Sequence, residues 1–148
     1  MIKLDGIDNQ LIQLLARDAH RTSEELAQRL ETSPATVRRK IRRLLDDRVI
    51  KVIAVADPDK VGLPVTTIIA LDVNKEKVES IVGALREMPE VKWISTVFGR
   101  FDLLFGARFK STEELSQFVQ NRLTHVSGVR DSEVFICLNT IGGRYGQV

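Results

Sequence analysis

The sequence predicts an α+β protein with two domains, an N-terminal, winged-helix-like helix-turn-helix domain and a C-terminal ferredoxin-like βαββαβ domain. Apolar residues recur at helical spacing in three segments of residues 1–56, and a three-residue turn precedes the third. Residues 65–138 instead alternate strand-like and helical segments. Between them, Asp-Pro-Asp at 57–59, Gly62 and Pro64 interrupt regular structure. We therefore expect domains at 1–56 and 65–148, joined by a hinge at 57–64.

The first two predicted helices are short and amphipathic. The first begins near Asp5 or Ile7 and ends around 17–20. Asp5 and Asp8 lie at its start, where the helix dipole favours negative charge. The second covers about 23–30, where Thr22 and Glu25 form a capping box. Their inward-facing residues are Leu4, Ile7, Leu11, Leu14 and Leu15 in the first helix and Leu26, Ala27 and Leu30 in the second.

The third helix has one apolar side and a strongly basic remainder. Ser33 followed by Pro34 is a good helix start, because serine caps free N–H groups and proline fits the first helical position. Val37, Ile41 and Leu44 form the apolar stripe. The remaining positions divide into Arg39, Arg42 and Arg43 on the opposite side, Arg38 and Lys40 flanking that side, and Ala35 and Thr36 near the helix start.

This basic helix predicts binding to double-stranded DNA. Residues 36–51 contain seven basic and two acidic residues, whereas solvated helix faces normally mix signs. A generic three-helix bundle is the alternative, but a bundle requires neither a basic third helix nor a very short second one. A turn before a basic third helix is typical of major-groove recognition. The predicted DNA contacts are Ser33, Thr36, Arg38, Arg39, Arg42 and Arg43.

The rest of the chain reads as strands and helices in a split arrangement. Residues 49–55 are β-branched and predict a strand. Beyond the hinge, strands are predicted at 65–73, 91–98, 103–109 and 129–138, with helices from Asn74 to about Glu87 and after the second capping box, Ser111 to Glu114. Such a sheet has helices on one face only, and both faces of its first strand are substantially apolar. We therefore expect dimerisation through the other face.

Composition narrows the setting of the protein. The net charge is +2, and residues 1–56 hold the positive excess, with 11 basic and 8 acidic residues. The single cysteine, Cys137, excludes an internal disulfide and a multi-cysteine metal site. No signal pattern or membrane-length apolar segment is present in the sequence. We expect a cytoplasmic protein with no metal site.

At this point the chain resembles the Lrp/AsnC family, the feast/famine transcriptional regulators. The resemblance covers LDGIDNQLIQLL, RTSEELAQRLETSPATVRRKIRRL, DDRVIKVIAVADPDKVGL and GRFDLLF at 99–105. It implies a sequence-specific DNA-binding regulator, assembled as a dimer and often an octamer. It also implies a small effector, usually an amino acid, that changes assembly or DNA affinity. No other cofactor is expected.

The family resemblance places the effector site in the turn between the second and third strands, at a contact between dimers. Here that turn contains Gly99, Arg100, Phe101 and Asp102. An aspartate can accept an ammonium and an arginine can meet a carboxylate. The alternative is a hairpin turn whose aspartate only caps backbone N–H groups. Ser132, Thr124 and Ser127 are further polar candidates for the lining.

Two residues depart from the family pattern. Arg48 stands where glycine is common before the valine–isoleucine pair, and Val134 stands where threonine is frequent in the last strand. The first departure adds a cation near the DNA side and alters the turn. The second implies an unusual effector, or none, if the last strand helps to bind it.

Two other functions compete with regulation. Sirohaem decarboxylases resemble the same two-domain layout, but His20 and His125 lie in different predicted domains, and no nucleophile motif, metal cluster or phosphate loop is present in the sequence. No catalytic residue is therefore predicted. An effector-binding assembly protein without DNA function is the second alternative, although this chain keeps its arginines.

Overall fold

A computed structural model describes residues 3–139, so residues 140–148 of the predicted C-terminal domain lie outside the described residues. The chain divides into two compact units, one up to Ala54 and one from Val55. Each unit has its own helices and its own core.

The N-terminal unit consists of three helices, α1 (Gly6–Arg17), α2 (Ser23–Arg29) and α3 (Pro34–Asp46). Each helix begins at a side-chain cap. Asp5 accepts the N–H of Asp8, while Thr22 and Glu25 form the predicted reciprocal capping box. The apolar stripes of the helices meet in one small core of Leu11, Leu26, Ala27, Leu30, Val37 and Leu44.

The predicted strand at residues 49–55 is wrong for the isolated chain, because these residues form no strand in the structure. A strand needs a neighbour for its N–H and C=O groups, and β-branched composition alone does not supply one. Val52 and Ile53 are instead 60% and 52% exposed. The first residues of the segment end α3, where the N–H groups of Val49 and Ile50 both donate to the carbonyl of Leu44.

The C-terminal unit has the predicted βαββαβ order. Its elements are β1 (Val65–Val73), α4 (Val78–Arg86), β2 (Val91–Thr96), β3 (Leu103–Phe109), α5 (Thr112–Asn121) and β4 (Val129–Ile136). The strand order is β2-β3-β1-β4, and all neighbours are antiparallel. The helix predicted from Asn74 begins as a 3-10 turn at Lys75–Lys77, and β2 and β4 each end two residues earlier than predicted.

One face of the sheet carries the core of this unit. Its aromatic centre is Phe118 on α5, whose ring centroid lies 5.1 Å from that of Phe109 and 6.4 Å from that of Phe105. Around it pack Ile69, Leu71, Val73, Ile81, Leu85, Leu103, Ala107, Leu115 and Leu123.

The opposite face of the sheet, which we call the outer face, presents several apolar side chains that are only partly covered. Because side chains alternate along a strand, Gly106 points away from its core neighbours Phe105 and Ala107. The Trp93 indole lies there, since a Cβ on Gly106 would come within 2.1 Å of its Nε1 atom. Ile68 and Phe135, which are paired across β1 and β4, remain 36% and 46% exposed. This face is the surface from which dimerisation was predicted.

Candidate functional site

The N-terminus of α3 is held by its own side chains. The Ser33 hydroxyl accepts the N–H of Thr36 at 3.1 Å and lies 2.9 Å from the Thr36 hydroxyl, while Pro34 occupies the first turn. Ser33 is exposed and Thr36 is half-buried. Ser33 therefore caps the helix by accepting the N–H of Thr36, and both predicted contact residues lie at the start of the helix.

The predicted arginines of α3 differ in how they are engaged. Arg39 and Arg42 are exposed, and within residues 3–139 no hydrogen bond or ion pair holds either guanidinium. Arg38 pairs with Glu24 of α2 at 3.0 Å, and both side chains are mostly exposed. An exposed pair of this kind contributes little to stability, about 0–1 kcal/mol, and exchanges readily for another anion. Among the arginines of α3, Arg39 and Arg42 are therefore the most available to a phosphate backbone.

The other two cations of α3 are bound to the start of α1. Lys40 Nζ donates to Asp8 at 3.0 Å and to Asp5 at 2.5 Å, and Arg43 Nη2 donates to Asp8 at 2.5 Å. Asp8 is fully buried and Lys40 is 9% exposed. We call these four residues the Asp8 cluster.

Charge pairing in the Asp8 cluster shifts the pKa values of Asp8 and Lys40. Burial raises the pKa of Asp8, but the Asp5 N–H, the Lys40 ammonium and the Arg43 guanidinium outweigh burial and hold that pKa well below its usual range. The hydrogen bond to Asp5 likewise raises the pKa of Lys40 against the opposing effect of burial. Both partners therefore stay charged across the neutral range.

The placement of Lys40 corrects the prediction from sequence, which put this side chain beside the exposed basic face. At about 100° per residue, position 40 lies about 40° from Leu44 and about 60° from Val37, at the edge of the apolar stripe. A lysine there needs a buried anion, and the Asp5–Asp8 spacing at the start of α1 was the signal that one was present. Arg43 lies about 60° farther round the helix than Lys40 and is engaged by Asp8, so its predicted DNA contact remains a prediction.

Arg48 lies in a left-handed backbone conformation just after α3, with φ of 55°. Its N–H donates to the carbonyl of Leu45, which completes the turn that ends the helix. This conformation favours glycine, because a Cβ crowds the backbone there. The departure noted in the sequence therefore falls on a residue whose backbone is strained.

The predicted effector turn is a six-residue connection, 97–102, with Phe98 fully exposed. Its ends meet where the Val97 N–H donates to the carbonyl of Asp102 at 3.0 Å. The half-buried Asp102 carboxylate accepts the N–H of Val73 at 3.0 Å, and its own N–H donates to Leu71. The aspartate thus caps a backbone N–H, as the hairpin-turn alternative expects, and it does so at the end of the central strand.

Arg100 lies above this connection with its charge largely in solvent. The side chain is 79% exposed, lies 3.7 Å from Glu133 and stacks on the Phe101 ring at 5.0 Å. Arg130 and Asp72 form a similar loose pair at 4.0 Å. Arg100, Phe101, Asp102 and β4 are thereby brought to one region of the unit.

Of the remaining polar candidates, Thr124 and Ser127 have hydroxyls that are hydrogen-bonded to residues outside the 97–102 connection. Ser132 is half-buried and lies opposite Leu71 in the sheet. The Thr124 hydroxyl donates to the carbonyl of Gln120, and Ser127 accepts the Lys77 ammonium. Within residues 3–139, neither of these two hydroxyls is hydrogen-bonded to the 97–102 connection. Val134 packs against the core, as an apolar residue at that position should.

The described residues form neither a metal site nor a membrane-spanning helix. Between residues 3 and 139, no three His, Cys, Asp or Glu side chains are placed to hold a metal ion. Over the same range, no helix has the length and apolarity that a membrane crossing requires. His20 and His125 are both exposed, and they lie in different units.

Comparison with protein families identifies both units. Residues 4–45 match the AsnC-type helix-turn-helix domain, and residues 66–145 match the Lrp/AsnC ligand binding domain. An uncharacterized HTH-type transcriptional regulator of Pyrococcus abyssi is 29% identical over 99% of this chain and 94% of its own length. The regulator Ptr1 of Methanocaldococcus jannaschii is 28% identical over 93% of each chain.

Solved structures agree with the fold. A transcriptional regulator from Neisseria meningitidis, crystallised with L-Met, superposes with a TM-score of 0.90 at 26% identity and covers 99% of this chain and 97% of its own. AsnC of E. coli superposes with a TM-score of 0.87 at 19% identity and 97% coverage of both chains, a likeness of fold.

The two units therefore define a transcriptional regulator that carries a helix-turn-helix domain and a ligand-binding domain. The chain belongs to the Lrp/AsnC family. The relatives reported above are named HTH-type transcriptional regulators.

Proposed function

We propose that this protein binds specific DNA sequences through α3 and that an amino acid changes its assembly or its affinity for DNA. The observation that carries the DNA part is the pair of exposed, unengaged arginines, Arg39 and Arg42, on the helix that follows the turn. Phosphate contacts supply salt-dependent affinity, and base contacts near Ser33 and Thr36 supply specificity.

The test begins with the operator. Repeated selection from a random-sequence duplex library should enrich one motif, and fluorescence anisotropy then measures affinity for that duplex from about 50 to 200 mM salt. Replacing Arg39 and Arg42 together with alanine should lower the magnitude of the salt slope by about 0.9 for each phosphate that the protein no longer neutralises. The matched control replaces Arg86 and Lys75, two exposed cations of the other unit, with alanine. Equal slopes for the two double variants would contradict the assignment.

The effector part rests on the 97–102 connection and on the relative crystallised with L-Met. Arg100 is free enough to meet a carboxylate, and Asp102 accepts only one backbone N–H among the described residues. A ligand that binds the folded state raises its apparent stability. A thermal-shift screen of the twenty amino acids should therefore find one or a few that raise the melting temperature.

The matched variants for that screen are Arg100→Met and Arg130→Met, since each arginine is exposed and loosely paired with one carboxylate. Arg100→Met should reduce the ligand-induced shift and Arg130→Met should leave it unchanged. A screen in which no amino acid raises the melting temperature, or in which both variants respond like the wild type, would refute the effector proposal.

For assembly, we propose a dimer through the outer face and higher, octameric assembly through the exposed connection. Phe135→Glu places a charge on the outer face, and Phe98→Glu places one on the connection. Sedimentation equilibrium should show monomers for the first variant and dimers for the second. An undisturbed dimer in Phe135→Glu would exclude the outer face as the dimer interface.

A further inference from the structure

The Asp8 cluster links α3 to α1 and takes no part in the DNA contacts proposed for α3. Asp8 is fully buried, so it cannot touch DNA. Its carboxylate is fixed at the start of α1 by the Asp5 N–H at 2.9 Å, within a reciprocal capping box. Two cations from α3 converge on this one buried anion.

Those two cations are three residues apart and therefore lie on the same side of α3. One contact along a helix fixes its distance from a neighbour, and a second contact one turn away also fixes its rotation about its own axis. With a radius of about 5–6 Å including side chains, a rotation of about 20° moves a side chain by about 2 Å. Hydrogen bonds tolerate a donor–acceptor range of only about 0.5 Å. Base contacts are thus sensitive to the angle that the cluster sets.

From this arrangement we infer that Lys40 and Arg43 are positioning residues for DNA recognition, which hold α3 at its reading angle through Asp8. The inference rests on the proposed DNA-binding function and divides four of the five basic residues of α3 into two groups. Arg39 and Arg42 face DNA, whereas Lys40, which is 9% exposed, and Arg43, whose side chain is 44% exposed, are held by Asp8. Arg43, predicted from sequence to contact DNA, changes groups.

Two measurements separate these roles on the selected duplex. The salt slope reports the number of phosphates that the protein neutralises, and the ratio of affinities for the selected and a scrambled duplex reports base reading. Replacing a residue that touches phosphate lowers the slope. Replacing a positioning residue lowers the ratio and leaves the slope unchanged.

The matched pair is Arg43→Met and Arg42→Met, which remove the same charge one position apart on α3. Arg42→Met should reduce the salt slope by about one for each bound protomer. Arg43→Met should keep the wild-type slope and lower the selected-to-scrambled ratio about tenfold, the worth of one well-made base contact. An Arg43→Met variant with a reduced slope, or with a wild-type ratio, would overturn the inference.

Asp8→Asn provides the decisive variant, because it removes no cation and its site is closed to solvent. It should lower the selected-to-scrambled ratio as Arg43→Met does, and combining the two changes should add little. Circular dichroism establishes whether Asp8→Asn is folded at the assay temperature. If Asp8→Asn is unfolded, Lys40→Met takes its place. This variant should lower the selected-to-scrambled affinity ratio without changing the salt slope, and an unchanged ratio would refute the inference.

The controls distinguish failure of this inference from failure of the proposed function. A wild-type protein that enriches no duplex contradicts DNA binding itself. A wild-type protein that binds, with Arg43→Met indistinguishable from Arg42→Met, leaves DNA binding intact and refutes only the positioning role.

Discussion

Asp8 and Asp102 are two aspartates of similar local setting and different use. Each accepts one backbone N–H near an element end, from Asp5 in the first case and from Val73 in the second. Asp8 also receives Lys40 and Arg43 and is fully buried. Asp102 is half-buried, and no cation among residues 3–139 pairs with it. A carboxylate that is already neutralised serves the architecture, whereas one with remaining capacity can serve a ligand.

The largest expected effect is on stability, from Asp8→Ala. Removing one partner of a buried charge pair leaves the others uncompensated, so unfolding of the N-terminal unit should become easier by about 3 kcal/mol. The matched change Asp102→Ala removes one hydrogen bond to a backbone N–H and should cost about 1 kcal/mol. Urea unfolding of the full chain, followed by far-ultraviolet circular dichroism, measures both. Equal losses would show that the two aspartates are equivalent.

Low pH should reduce the difference in folding stability between the wild type and Asp8→Asn. The folded-state pKa of Asp8 is held below its ordinary value of 3.8, so its contribution to stability is complete well above pH 3.8 and is lost as the pH falls through and below that value. An asparagine does not titrate. The stability gap between the two proteins should therefore be constant from about pH 8 to 6 and shrink below about pH 4. A gap that stays constant in acid would mean that charge is not what Asp8 contributes.

Asp102→Asn tests the other half of the comparison. An asparagine oxygen can still accept the Val73 N–H, but it has lost the charge that attracts an ammonium. The unliganded melting temperature should change little, while affinity for the effector found in the screen should fall about tenfold. Isothermal titration calorimetry measures that loss. Unchanged affinity would assign Asp102 to the backbone cap alone.

The smallest expected effect is a gain. Replacing Arg48 with glycine relieves a left-handed strain of about 1–2 kcal/mol. Glycine also gives the unfolded chain more backbone freedom, which opposes that gain by about 0.5–1 kcal/mol. The N-terminal unit should therefore gain about 0.5–1 kcal/mol in urea unfolding. Arg48→Ala, which removes the same side chain but keeps a Cβ, should show no gain. A gain in both variants would trace the effect to charge rather than to the backbone.

Much of the architecture was predictable because its signals are local. Strand β3 follows the predicted range 103–109, and the capping box at Thr22 and Glu25 is confirmed, since each depends on residues close in sequence. The Asp8 cluster depends on residues separated by 32 and 35 positions, and no local pattern states that separation in space. The strand at 49–55 failed for the related reason that a strand requires a partner outside its own sequence.

The candidate sites were predictable to different depths. Charge and helical spacing were enough to select Arg39 and Arg42, because exposure follows directly from the apolar stripe on the other side of α3. They were not enough to separate those two from Arg43, because helical spacing places all three on the same side and only the tertiary structure shows that Asp8 engages Arg43. Around Asp102 the sequence located the connection, while the choice of Val73 as hydrogen-bond partner emerged only from the sheet.

The indole packed over Gly106 makes the outer face optically readable. Trp93 is the single tryptophan of the chain and belongs to the face from which we propose that dimers form. Its emission should move to shorter wavelength when a second copy excludes water from that face, and the shift should follow protein concentration. A label-free dilution series would then yield the dissociation constant of the assembly, in the presence or absence of each amino acid.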